Sequence, residues 1–111
     1  MNLMVNLKTT TGLVKAILEE DEKARNSDSY LYLRVLEEVG EQQGIYFQFW
    51  TVHDLLMCMA DYNLPPFESV RRTRQKIQQT YPHLAACKKV EEQRTANEEV
   101  YRAYAQGVQN V

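Results

Sequence analysis

Long apolar runs are missing from this chain. No stretch approaches the roughly 20 residues that cross a bilayer, and Met1–Leu7 is too short for a signal-peptide core with its flanks. The expectation is a soluble, cytoplasmic protein with no membrane partner. Cysteine is equally scarce: Cys58 and Cys87 form no CxxC pair, and His53 and His83 do not stand with them at metal-ligand spacing. That argues against a structural metal and fits a reducing compartment, with Cys58 reading as a small buried side chain in the apolar run Leu55–Met59. With four glycines, three prolines and 44% hydrophobic residues, the composition also excludes wholesale disorder. Catalytic signatures are absent as well. There is no glycine-rich phosphate loop, no serine-centred elbow, no HExxH and no paired carboxylates outside one surface run, so no catalytic residue and no cofactor is expected. His53 lies near a helix start with no nucleophile and reads as an exposed or core-edge histidine.

What remains is a chain of 111 residues, enough for one domain with a real core, here 1–111. Its net charge of −2 conceals an asymmetry. Residues 1–65 hold five Lys/Arg against ten Asp/Glu, and residues 66–111 hold eight against five, giving −5 and +3. A binder of nucleic acid needs only one basic face, so position matters more than total.

Apolar spacing and capping residues predict a mainly α fold of four to five helices. The Thr9–Thr11 cluster supplies caps for a first helix with Leu13, Val14, Ile17 and Leu18 on one face. It runs into the acidic Glu19–Glu22, expected as a solvated face. A loop over Asn26–Ser29 precedes a second helix, Tyr30–Val39, closed by Gly40 as a left-handed cap. Ile45–Trp50 is aromatic and β-prone and predicts a short strand near 45–50. Thr51 with Asp54 forms a capping box for a third helix whose buried stripe is Val52, Leu55, Leu56 and Met59. That helix ends near Tyr62 or Asn63 and connects through a few residues to a fourth, from about Pro66 to Tyr81, stopped by Pro82. Val90–Ala105 is helical by composition, starting after Lys88 and Lys89 because cations oppose the dipole at a helix start, with a frayed tail from Gly107. This C-terminal helix, 88–106, is available for packing or dimerisation through Ala96, Val100, Tyr101, Ala103 and Tyr104.

The pair of helices spanning Thr51–Tyr81 reads as a helix-turn-helix, with a winged-helix variation suggested by the aromatic strand before it. On a wheel, Val70, Ile77 and Tyr81 face the core with Phe67 and Arg74 at its edge. Arg72, Gln75, Lys76 and Gln79 lie opposite, flanked by Arg71 and Gln78. Arginine suits phosphate or guanine in two-pronged geometry and glutamine suits adenine. No carboxylate follows Glu68 on this helix, whereas a solvated helix usually mixes signs. Arg71, Arg72, Arg74, Gln75, Lys76 and Gln79 are therefore the candidate nucleic-acid residues, with Arg71 and Arg74 as backbone clamps. The bland alternative is an ordinary solvated face.

Two phrases, Ala24-Arg25-Asn26-Ser27-Asp28-Ser29-Tyr30-Leu31-Tyr32-Leu33 and Glu68-Ser69-Val70-Arg71-Arg72-Thr73-Arg74-Gln75-Lys76-Ile77-Gln78, make the chain resemble small uncharacterised bacteriophage and prophage proteins with a helix-turn-helix or winged-helix core. The resemblance spans Leu13–Tyr104 and implies a viral origin and residence in the cytoplasm of a host bacterium. It carries no catalytic residues. Its basic helix corresponds to Arg71, Arg72, Arg74 and Lys76, and this sequence departs from it in an acidic N-terminal half. The expected function is a phage or prophage transcriptional regulator, possible as a homodimer, whose partner is double-stranded DNA. The alternative is an anti-CRISPR-like inhibitor whose partner is a host defence protein such as a CRISPR nuclease, bound through the acidic half or the basic helix.

Overall fold

Side-chain hydroxyls and carboxylates set most of the helix starts. The computed structural model describes residues 9–109, with side chains described through Ala105, so Met1–Leu7 lies outside the described residues. Six α-helices are present in it: α1 (Thr10–Glu20), α2 (Glu22–Asn26), α3 (Asp28–Gln43), α4 (Val52–Cys58), α5 (Phe67–Thr80) and α6 (Lys88–Gln109). Thr9 Oγ1 accepts the Gly12 N–H at 3.0 Å, Ser27 Oγ accepts that of Tyr30 at 3.2 Å, and Thr51 Oγ1 accepts that of Asp54 at 3.1 Å. Each such cap stabilises its helix by about 1 kcal/mol. The mainly α class holds, and no strand occurs among the described residues.

Glu19, Glu20 and Glu22 of the acidic run are exposed, as a solvated face requires, and capping divides the run between two helices. Asp21 is extended, accepts the Lys23 N–H at 3.1 Å, and so ends α1 and starts the short α2. It further accepts the Tyr30 hydroxyl at 2.6 Å, which holds its carboxyl below the usual carboxylate range. Arg34 lies within 4 Å of Glu20, Asp21, Glu37 and Glu38, a single cation shared among four carboxylates, so it relieves their repulsion while the surface keeps a negative excess. The loop expected over 26–29 shrinks to Ser27, between α2 and α3.

The main core is built where α1 crosses α5 and α3. Leu13, Val14, Ile17 and Leu18 of α1 meet Leu31 and Val35 of α3 and Val70 and Ile77 of α5, with Ala24 and Leu84 closing the ends. These residues are almost fully buried, and each large aliphatic side chain so placed stabilises by about 1.5–3 kcal/mol before entropy is counted. A second, smaller cluster gathers Leu36, Phe47 and Leu64, with Trp50, Leu55, Met59 and Tyr62 at its margin.

This second cluster explains three departures from the sequence pattern. α3 does not stop at Gly40; it continues to Gln43 and closes on Gly44, whose φ of 71° is the left-handed conformation that glycine adopts freely. Gly40 is instead buried within α3, where a Cβ would run into the Ile45 carbonyl and the Phe47 ring. The chain must turn back tightly over Gly40 to insert Phe47, so 47–49 forms a 3-10 turn rather than a strand. Phe47 is fully buried and packs edge-on against Trp50 and Tyr62, with ring centroids 5.1 and 5.3 Å away, whereas Phe49 is 80% exposed.

α4 touches that cluster along one edge. Leu55 and Met59 reach it, but Val52 and Leu56 face water, so the expected four-residue stripe is only half used. Cys58 is partly buried rather than interior. The helix ends at Cys58, which leaves residues 59–66 as the connection to α5, longer than the few residues expected. Asn63 takes the left-handed conformation, φ 56°, which Asn tolerates better than most residues, and Tyr32 pins the connection by donating its hydroxyl to the Pro65 carbonyl at 2.8 Å.

α6 starts at Lys88, two residues before the predicted Val90, because one side chain from α2 and one from its own first turn accept the N–H groups just before it. Asn26 Oδ1 accepts the Cys87 N–H at 2.8 Å and Glu91 Oε1 accepts that of Ala86 at 3.2 Å. The helix also runs through Gly107 to Gln109.

Candidate nucleic-acid interface

α5 is framed by Pro66 before it and Tyr81-Pro82 after it, and its burial pattern divides the candidate residues into three groups. Val70 and Ile77 face the core as the wheel predicts. Arg74 and Gln78 are buried with them.

Arg74 is a correction. Expected at the core edge and as a clamp on phosphate, it lies inside, 6% exposed, and holds Asp28 in a two-pronged pair: Nε donates to Oδ1 at 2.8 Å and Nη2 to Oδ2 at 3.1 Å. A guanidinium inside a protein needs such a partner, since an unpaired buried charge costs several kcal/mol. Gln78, placed by the wheel beside the outer face, is the hub of the same network. Its amide donates to the Arg25 and Leu84 carbonyls, both at 3.1 Å, and its Oε1 accepts from Arg74 and Arg94. Arg94 arrives from α6, and burial together with the nearby Arg74 lowers its pKa.

The second group, of which Arg72 is exposed and Arg71 and Gln75 are half-buried, is engaged by neighbouring side chains. Arg71 Nη2 donates to Glu68 Oε1 at 2.6 Å, and Arg72 Nε donates to the same oxygen at 3.3 Å. The hydrogen bond from Arg71, with help from Arg72, pulls the Glu68 carboxyl down to about 2. Glu68 stands four residues before Arg72, so the compensating acid sought after each cation lies before it. Gln75 is half-buried and donates to Glu98 of α6 at 3.3 Å.

The third group is open. Lys76 and Gln79 are exposed, and with Arg72 they form a line at i, i+4 and i+7 along the outer side of α5. Beside them Thr11, Arg72, Thr73, Lys76 and Ile77 line a groove of about 120 Å³ between α1 and α5. On the other side a polar cleft of about 500 Å³ separates α5 from α6, with Arg71, Gln75, Gln79, Asn97 and Tyr101 among its walls.

Two features had no usable signal in the sequence. Asp28 sits 46 residues before Arg74, inside a segment rich in capping residues, and nothing local marks it as a buried partner. The other is a cluster of exposed apolar side chains, Tyr46, Phe49, Val52, Leu56 and Met57, each 64–80% exposed, which alternation and helical spacing assigned partly to the interior. Among the described residues no grouping of His, Cys, Asp and Glu could hold a metal ion, and no helix is long and apolar enough to cross a membrane. Compared with known proteins, the chain matches no family model, no curated protein and no solved structure.

Proposed function

We propose that this chain is a noncatalytic, phage-type regulator that binds double-stranded DNA, with α4 and α5 acting as a helix-turn-helix and α5 approaching the duplex. The observation that carries this reading is the exposed line Arg72, Lys76 and Gln79, flanked by Arg71. Of the three cations Arg71, Arg72 and Lys76, the first two share Glu68 and Arg71 also lies near Asp28 and Glu98, so the positive character of the face rests on Arg72 and Lys76. Gln79 adds a donor and an acceptor that a base edge can use.

Titration of duplex DNA by fluorescence anisotropy at two salt concentrations tests the reading. Binding should weaken with salt in proportion to the phosphates contacted, and Arg72→Ala with Lys76→Ala should reduce the logarithmic slope by about two. Glu68→Gln should tighten binding, because it removes the carboxylate that competes with phosphate for Arg71 and Arg72. Absence of binding at low salt would overturn the proposal.

A second reading, an inhibitor that docks on a host defence protein, is favoured by the exposed apolar side chains of one segment, Tyr46, Phe49, Val52, Leu56 and Met57, since exposed apolar surface marks a protein interface. Under that reading Phe49→Asp and Leu56→Asp would abolish anti-defence activity in a phage plating assay, and Arg72→Ala would leave it intact.

A further inference from the structure

α5 packs along α1 more extensively than along any other helix, so α1 rather than α4 is its neighbour on the basic side. The groove between the two is lined by Thr11, Arg72, Thr73, Lys76 and Ile77, and among the described residues no carboxylate stands in its walls. Thr11, Arg72 and Lys76 are exposed. The two cations lie one helical turn apart on α5, and Thr11 meets them across the groove from the first turn of α1.

The threonines at this place differ in what their hydroxyls do. Thr9 Oγ1 accepts the Gly12 N–H and the Thr73 hydroxyl donates to the Ser69 carbonyl at 2.7 Å, whereas the Thr11 hydroxyl makes no hydrogen bond among the described residues. Thr11 is therefore a free donor beside two cations. Charge along α1 has the same sense. Its carboxylates Glu19 and Glu20 stand two turns further on, about 12 Å along the axis from Thr11, and have cations of their own in Lys15 and Arg34. The acidic end of α1 is thus remote from the groove, and the end beside Arg72 and Lys76 carries hydroxyls.

Size and donor set select the occupant. At about 120 Å³ the groove lies below the roughly 300 Å³ at which pockets begin to enclose small molecules, so it admits one group of a larger ligand. Two cations and a hydroxyl, all donors, select an oxyanion.

We infer that this groove seats a single backbone phosphate of the duplex, held by Arg72 and Lys76 with the Thr11 hydroxyl as the third donor. This rests on the DNA-binding reading of α5, and it adds α1 to the binding surface and fixes the side from which the backbone reaches α5. Arg72 gives Glu68 only its Nε, at 3.3 Å, which leaves both terminal nitrogens for the phosphate.

Two titrations test the seat. In amide NMR spectra of the isotope-labelled chain, inorganic phosphate, compared with sodium chloride at matched ionic strength, should shift residues 10–12 and 72–76 and leave the others in place. In anisotropy titrations of duplex DNA, Thr11→Val should weaken binding by about tenfold, the loss of one hydrogen bond to a charged group, without changing the salt slope, because no cation is removed. Thr11→Ser should keep the wild-type affinity, and Thr11→Glu should lose more than Thr11→Val. Thr11 is exposed and takes no part in the α1 cap, so all three variants should melt with the wild type. Phosphate that leaves the groove amides unmoved, or Thr11→Val and Thr11→Glu chains that bind DNA as the wild type does, overturns the seat. A wild-type chain that ignores duplex DNA while phosphate shifts the groove amides overturns the DNA reading and the duplex as the source of the phosphate, and upholds the groove as an oxyanion site.

Discussion

Arg74 and Arg72 are two residues apart and of one chemical type, yet their surroundings assign them opposite work. Arg72 is exposed and shares a carboxylate in water, where an ion pair contributes about 0–1 kcal/mol. Arg74 is buried and bonded by two nitrogens to Asp28, joining α5 to the first turn of α3. Removing one member of a buried pair leaves the other charged and unpartnered, at about 3–5 kcal/mol. Asp28 keeps a second cation, Arg94 Nη2 at 3.8 Å, and some contact with solvent, its side chain being 22% exposed, so the effect falls at or below the lower figure. Arg74→Leu should therefore lower the midpoint of thermal denaturation by on the order of 10 °C or more, and Arg72→Ala should barely move it. Circular dichroism melts of the two variants check this. Equal midpoints would mean that the Asp28 pair is not what anchors α5.

At the scale of elements, the two glycines flanking the end of α3 make a comparison of the same kind. Gly44 carries the strained backbone angle but has open space around the position of a Cβ, whereas Gly40 has ordinary helical geometry and no space. Gly44→Ala should cost about 1 kcal/mol, the penalty of a left-handed conformation for a residue with a Cβ. Gly40→Ala should cost more, about 2–3 kcal/mol, because the Ile45 carbonyl and Phe47 ring must shift together. Urea unfolding of the two variants ranks them, and a larger loss at Gly44 would contradict the packing described. The same segment marks where sequence pattern stops being informative. Helix starts at Thr9 and Thr51 were legible because a cap is a contact between neighbours, whereas the cap at Ser27 lay hidden among the capping residues of Asn26–Ser29, all of them assigned to a loop. The 3-10 turn over 47–49 was not, since period-two alternation in Ile45–Trp50 fits a strand equally well, and only the space over Gly40 decides. Likewise, the wheel located Lys76 and Gln79 but could not foresee Asp28, whose pairing with Arg74 spans 46 residues.

Across the whole molecule, burial falls away from one centre. α1, α3 and α5 share the larger cluster, the Phe47 cluster sits at one flank, and α4 and the distal part of α6 contribute no buried residue. Local opening free energy follows buried contact, so these two segments should open without disturbing the rest. In hydrogen–deuterium exchange on dilute protein, amides of α1, α3 and α5 should exchange slowest, at rates set by global unfolding. Those of α4 and of residues 95–105 should exchange orders of magnitude faster. Adding duplex DNA should protect α5 around Arg72 and Lys76. Uniform protection along the chain would show that the gradient of burial does not govern which segments open first.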